Sequence, residues 1–343
     1  MAIVITGGCG FIGLNLLRKL LEAPTVRETE IRIVDNLSTS SLDVFEKMIN
    51  ETGLPVKHAD SSHNYVVQTK TIPVAIELVT EDVTDIEFAK HICKRCSVVI
   101  HLAAQTAVQL SISEPNTDFA SNVIGTFNYL EASRQNNVPT FITASSSAVI
   151  GNAATSIEDL PLHPISPYGA SKAAVEAYCS SFYHSYGINT LPMRFSNVYG
   201  PYSTEKTSVI ANFCRQALSG QPLRIYGDGL QTRDFIFVDD LVTVIIDIAF
   251  GKYQQSASNW FGNPLNIATG INASVLDVTK IFRRYFTPNK VDVTVESLPA
   301  LPGDIRHSAP SVKRLSTLVD LSKFKHLDIA IPETIDWFKK FEL

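Results

Sequence analysis

The chain has 343 residues, 45% hydrophobic and 18% charged, the balance of a globular protein and not of a disordered one. Its net charge of −5 argues against a nucleic-acid or membrane-surface binder, both of which need a basic face. No apolar run reaches the roughly 20 residues that cross a bilayer, and Met1 leads straight into Ala2-Ile3-Val4-Ile5 without a leader pattern, so a reducing cytoplasm is expected.

The first predicted strand, Ala2–Thr6, runs through Gly7-Gly8-Cys9-Gly10-Phe11-Ile12-Gly13 into a helix over Phe11–Glu22. Gly7, Gly10 and Gly13 stand three apart. A strand–turn–helix with such glycines allows a left-handed turn, lets the backbone approach a pyrophosphate, and aims helix N–H groups at it. The second strand, Ile31–Asp35, ends on a carboxylate suited to the adenosine ribose hydroxyls, which favours NAD over NADP. The polar stretch Lys57–Thr71 reads as an excursion or flexible loop. Strands then alternate with helices: Val74–Leu78, helix Asp85–Cys93, Val98–Leu102, helix Asn116–Asn136, Thr140–Ala144, helix Pro167–Gly187, and strand Asn189–Arg194. That alternation predicts right-handed crossovers and a doubly wound parallel sheet covered on both faces.

From about Ser196 the elements shorten. Helices are predicted at Ser208–Ser219, Val238–Phe250, Ser274–Phe286 and Pro332–Phe341, with strands at Leu223–Tyr226, Leu265–Ile267 and Val291–Val295. The expected organisation is a dinucleotide-binding domain over 1–195, with a short return over 223–250, and a smaller α/β substrate lobe over 196–343. Five cysteines, with a lone Cys93-x-x-Cys96, read as reduced thiols, and eight scattered histidines show no metal-ligand spacing.

Tyr168-Gly169-Ala170-Ser171-Lys172 opens a predicted helix, and its i, i+4 spacing puts phenol and ammonium on one face. A nearby cation is expected to lower the tyrosine pKa toward that of a working base. Ala144-Ser145-Ser146-Ser147 ends the fifth strand, where open parallel sheets bind ligands, so a serine hydroxyl there can share a proton with Tyr168.

These motifs together resemble the extended short-chain dehydrogenase/reductase family, in its nucleotide-sugar epimerase/dehydratase branch and notably its UDP-glucose 4-epimerase-like enzymes. The resemblance runs through Thr6–Gly13, Val34-Asp35-Asn36-Leu37-Ser38, His101-Leu102-Ala103-Ala104-Gln105, Ser145–Gly151 and Tyr168–Lys172. It continues through Arg194-Phe195-Ser196-Asn197-Val198-Tyr199-Gly200-Pro201, Tyr226-Gly227-Asp228-Gly229, Arg233-Asp234-Phe235 and Pro302–Ser308, nearly the whole chain. It implies a Rossmann-type NAD domain with a smaller C-terminal lobe. It assigns NAD to Gly7, Gly10, Phe11, Ile12, Gly13, Asp35, Asn36 and Ser38, with Asp82 and Val83 near the adenine. Leu102, Ala103, Ala104 and Asn122 would line the pyrophosphate and ribose, Lys172 would also hold the nicotinamide ribose, and Phe195 would lie near the nicotinamide. Tyr168, Lys172 and Ser146 would be catalytic, with Tyr168 also against the cofactor and Ser146 against the substrate. Asn197, Arg233 and Arg306 would hold the nucleotide diphosphate, in this branch that of a UDP-sugar, and the two long helices would form a homodimer.

The Ser146 segment bears on the reaction. In the related 4,6-dehydratases Asp and Glu follow the catalytic Ser or Thr, and the decarboxylases usually carry a Glu; here Ser147 and Ala148 follow. Elimination then lacks its acid and base, whereas epimerisation needs only reversible hydride transfer through a 4-keto sugar. Gln105–Ser113 is similar to several branches, 2-epimerases included, and a non-catalytic NAD-binding sensor on the same fold is the reading from another class. Two positions depart from the pattern: Ile150 stands where Tyr usually precedes Gly151, and Pro310 where the family often has Asp.

Overall fold

The computed structural model describes residues 2–22, 30–58, 63–153, 155–252, 259–289, 293–300 and 306–342. The chain divides into two compact units, Met1–Gly151 with Pro161–Arg194 and Val242–Leu265, and Asn152–Leu160 with Phe195–Leu241 and Asn266–Leu343.

The first unit is built on the large sheet. Within this unit its strands run in the order Asn189–Phe195, Thr140–Ser146, Cys96–His101, Ala2–Thr6, Glu30–Asp35, Pro73–Thr80, Asn64–Gln68 and Val56–His58. Ala2–Thr6 pairs in parallel with Glu30–Asp35 on one side and Cys96–His101 on the other. All five residues of Ala2–Thr6 are buried, as helices on both faces require. Local chemistry starts the helices: Ser41, Asp85 and Ser166 each accept a backbone N–H from the first turn.

Several expectations change. The Lys57–Thr71 stretch is not a loop throughout: Val56–His58 and Asn64–Gln68 form an antiparallel pair that extends the sheet beyond Pro73–Thr80. Tyr65 and Val67 are buried in the core, but two alternating positions are too short a pattern to read, and residues 59–62 lie outside the described residues. The preceding span also holds a helix, Leu42–Glu51, which is absent from the predicted elements. The long helix expected at Asn116–Asn136 is present over 115–135, but it carries a π turn over Ala120–Ile124 that holds Asn122. Finally, the strand expected at Val291–Val295 lies at Val295–Leu298, with 290–292 outside the described residues, and the last helix starts at Leu327. Pro332, expected as its first residue, sits in the second turn at the cost of one backbone bond.

In the second unit, strands Asn197–Tyr199, Thr232–Phe237 and Asn272–Ser274 form a small sheet. Helices Val209–Leu218, Val275–Phe286 and Leu327–Glu342 pack a core around Phe213, Phe282 and Phe338. Among the described residues, no helix is long and apolar enough to cross a membrane.

Candidate functional site

The glycine turn is constrained by backbone. Gly7 has φ +67°, and a Cβ there would lie 2.6 Å from the Ala103 nitrogen. At Gly13 a Cβ would meet the Gly7 oxygen at 2.3 Å, so turn and helix touch main chain to main chain. Gly10 is looser, with the Gly7 oxygen 3.3 Å from its would-be Cβ. Phe11 and Ile12 begin the following helix, Phe11 buried and Ile12 half-buried.

Asp35 ties the turn to the next loop. Its carboxylate accepts the Cys9 N–H on one oxygen and the Leu37 N–H on the other, each at 2.9 Å. Burial pushes its pKa up, against the opposing pull of the Leu37, Cys9 and Gly10 N–H groups. The Asn36 amide donates to Asp82 at 2.9 Å, and the Ser38 N–H to the Asn36 oxygen at 3.1 Å. Partial burial works against Asp82 ionising, yet the Thr84 N–H and hydroxyl and the Asn36 amide hold its pKa below the usual carboxylate range. Val83 is buried against Gly125, where a Cβ would come within 2.5 Å of its methyl. Leu102 and Ala103 donate their N–H groups to the Thr6 carbonyl and hydroxyl, and Ala104 is half-buried just beyond.

The helix Pro167–Tyr186 starts on the Ser166 cap and ends on Gly187 in the left-handed region. It brings Tyr168 and Lys172 together, the ammonium 6.0 Å from the phenol ring centre and donating to the Ala144 carbonyl at 3.0 Å. The Ser146 hydroxyl acts on the Tyr168 phenol, and its oxygen accepts the Ala148 N–H at 3.2 Å. The charge balance differs from the sequence expectation. Burial pushes the Tyr168 pKa up; the Ser146 hydroxyl pulls it down and Asp118 pushes it further up. Lys172 is itself pushed down to about 8 by burial, with Asp118 opposing. Spacing alone suggests that the cation lowers the phenol pKa, but desolvation dominates both groups.

Three residues of this site are not among the sequence candidates: Asp118, Ser171 and Glu176. The Asn122 amide donates to Asp118 at 2.9 Å, to Ser171 at 3.1 Å and to the Gln105 carbonyl at 3.0 Å, while its oxygen accepts the Gln105 N–H at 2.9 Å. Glu176 accepts from Ser145 and Arg194. Polar residues repeating every four positions, Asp118–Asn122 and Tyr168–Lys172–Glu176, are the available signal. Since Asp118 favours the charged form of Lys172, Asp118→Asn should move the Lys172 midpoint below about 8. Nζ nitrogen NMR reads this directly, and an unchanged midpoint would show that the two groups are uncoupled.

The remaining candidates lie in the second unit. Asn197 and Arg233, with Ser208, Arg224, Tyr226 and Gln231, line a cavity of about 260 Å³. The Asn197 amide donates to the Asp234 carbonyl at 2.9 Å. The Asp234 carboxylate is a hub, accepting from Ser196, Thr269 and Gly270. Arg306 is not among the lining residues; it makes an exposed two-pronged bond to Asp228 at 2.8 and 2.7 Å. Phe195 ends its strand half-buried. Of the two departures from the family pattern, Ile150 is buried as core packing, and Pro310 pairs with Ser156 in a short parallel strand pair. All five cysteines are buried and outside any disulfide, and no cluster of metal-ligating side chains occurs among the described residues.

The model of the NAD dependent epimerase/dehydratase family matches residues 3–259 of this chain. A putative UDP-glucose 4-epimerase of Methanocaldococcus jannaschii is 34% identical over 287 residues, 82% of this chain and 81% of that protein. The UDP-N-acetylglucosamine 4-epimerase of Methanobrevibacter ruminantium M1, solved with UDP-N-acetylmuramic acid, has a TM-score of 0.81 at 29% identity, covering 99% of this chain and 98% of the other. The UDP-glucuronic acid 4-epimerase of Bacillus cereus, solved with UDP-glucuronic acid and NAD, also gives 0.81, at 25% identity over 99% and 100% of the two chains. The large parallel sheet is the Rossmann-type α/β fold of these structures.

Proposed function

This chain belongs to the NAD dependent epimerase/dehydratase family, and we propose that within it the chain acts as a UDP-hexose 4-epimerase. The observation that carries this reading is the Tyr168–Ser146–Lys172 group, half-buried at the phenol and serine and buried at the lysine, at a strand end with no carboxylate in the residues that follow, Ser147–Ile150. A phenol beside a hydroxyl suffices to take and return one hydroxyl proton, whereas loss of water needs a further acid and base. The names of the relatives supply the UDP-sugar class.

The residues fit the cofactor. The main-chain contacts of Gly7 and Gly13 leave a turn that no side chain fills, and Asp35 is held at the strand end by two N–H groups with lone pairs to spare for ribose hydroxyls. In this proposal Asn36, Ser38, Asp82 and Val83 flank the adenosine, and Leu102, Ala103, Ala104 and Asn122 the pyrophosphate and ribose. NAD, when bound, supplies a reversible hydride acceptor. Tyr168, held as the phenolate beside Lys172, takes the proton of the sugar 4-hydroxyl and becomes the neutral phenol, Ser146 shares that proton, and Lys172 also holds the ribose. Asn197, Arg233 and Arg306 hold the diphosphate, for which fixed amide and guanidinium donors are suited, and Phe195 lies by the nicotinamide.

Product analysis by NMR, with no NAD added, on UDP-glucose, UDP-galactose, their N-acetylamino forms and the uronic acids tests the reading. Interconversion of a 4-epimer pair at unchanged mass is the expected result. A product lighter by water or carbon dioxide, or no conversion of any of them, removes it. A homodimer is also proposed, because Phe127, Tyr178 and Tyr186 leave aromatic surface exposed on the two helices. Light scattering should give a particle of two chains.

A further inference from the structure

Glu176 lies outside the proton-transfer group, yet it is bonded to the strand that carries it. Along Pro167–Tyr186, the residues Tyr168, Lys172 and Glu176 recur every four positions and so share one face. Each engages a different residue at the end of Thr140–Ser146. The Ser146 hydroxyl acts on the Tyr168 phenol, Lys172 bonds the Ala144 carbonyl, and Glu176 Oε1 accepts the Ser145 hydroxyl at 2.5 Å. Glu176 is in turn gripped by Arg194 from the neighbouring strand, through Nε to Oε1 and a second nitrogen to Oε2, both at 2.8 Å. The pair is almost wholly buried, with side chains 1% and 5% exposed.

A buried ion pair is a weak source of net stability, because desolvation offsets its attraction, but its fixed fork geometry is a strong source of orientation. Neighbouring strand residues point to opposite faces. Anchoring Ser145 on one face therefore decides where the Ser146 hydroxyl is presented. We propose that Glu176 and Arg194 are positioning residues that act through Ser145 to hold Ser146 in register with Tyr168. This rests on the reading of Tyr168 and Ser146 as the proton-transfer pair. Ser145 is the point at which to test it, since its removal leaves the Glu176–Arg194 pair intact.

The experiment compares wild type with Ser145→Ala and Ser145→Thr, each labelled at the tyrosine ring carbon that bears oxygen. Tyr168→Phe assigns the Tyr168 signal. Lys172 on the same helix and Asp118 on Pro115–Phe119 face the phenol, and neither is changed by these variants. With Ser146 loosened, the Tyr168 midpoint in S145A should rise by about half a unit or more, since the Ser146 hydroxyl pulls it down. Turnover should fall about tenfold or more with KM within twofold, and S145T should restore both readings. A purely structural role would lower the melting temperature and leave the phenol midpoint and kcat per folded site as they were. An S145A protein that titrates Tyr168 like wild type overturns the proposal. If alanine leaves the chain unfolded, Ser145→Cys keeps the volume, gives up the strong donor and is read in the same way. Wild type inert on every sugar would remove the proposed function, while the titration would still decide the positioning.

Discussion

Tyr168→Phe should lower turnover by about 10²–10⁴-fold, the usual contribution of a positioned acid–base group, while the protein keeps its NAD. The substitution deletes one oxygen and little else. The ring keeps its place beside Lys172, and the Lys172 bond to the Ala144 carbonyl does not involve the phenol. The glycine turn and the Asp35 clamp are made by other residues. Cofactor released by acid and quantified per chain should match wild type. Turnover near wild type would end the assignment of Tyr168 as the base. Loss of NAD along with activity would instead make Tyr168 a cofactor-holding residue, and the base would have to be sought elsewhere.

The second large effect is expected at Gly7. Gly7→Ala forces a side chain into the left-handed region at φ +67° and drives its Cβ to 2.6 Å from Ala103 N, 2.8 Å from Leu102 C and 2.9 Å from Ala103 Cα. All three are main-chain atoms of the neighbouring strand end, so no rotamer change relieves them. The conformational penalty of about 1–2 kcal/mol and an overpacking penalty of about 1–3 kcal/mol add, and the strand end must move. A melting temperature lowered by several degrees and purified protein without NAD are the expected readings. Gly53→Ala separates the two terms, because Gly53 has φ +64° but nothing within 4 Å of its would-be Cβ. That variant should show only the conformational penalty and keep its NAD. Equal damage from both would mean that close approach at Gly7 contributes nothing.

Where the chemistry depends on near neighbours in the chain, the amino-acid sequence alone is enough to find the residues. The strand–glycine–helix start, Asp35 at the next strand end and the Tyr168–Lys172 spacing are such cases, because helix and strand periods alone set which side chains share a face. The parallel α/β class follows from the same alternation, since buried parallel strands demand crossover helices. Which partners these residues find across the fold is a tertiary matter. Ser145 meets Glu176 31 positions on, and Asn122 meets Ser171 49 positions on, separations that carry no periodic signal. The sheet's outer strands escape a sequence reading because their alternation is too short, and the π turn around Asn122 because it interrupts an otherwise helical pattern. The direction of the Tyr168 shift also belongs to the tertiary structure. Spacing brings a cation near the phenol, but only packing determines how much water both groups lose, and that loss is the largest influence on each.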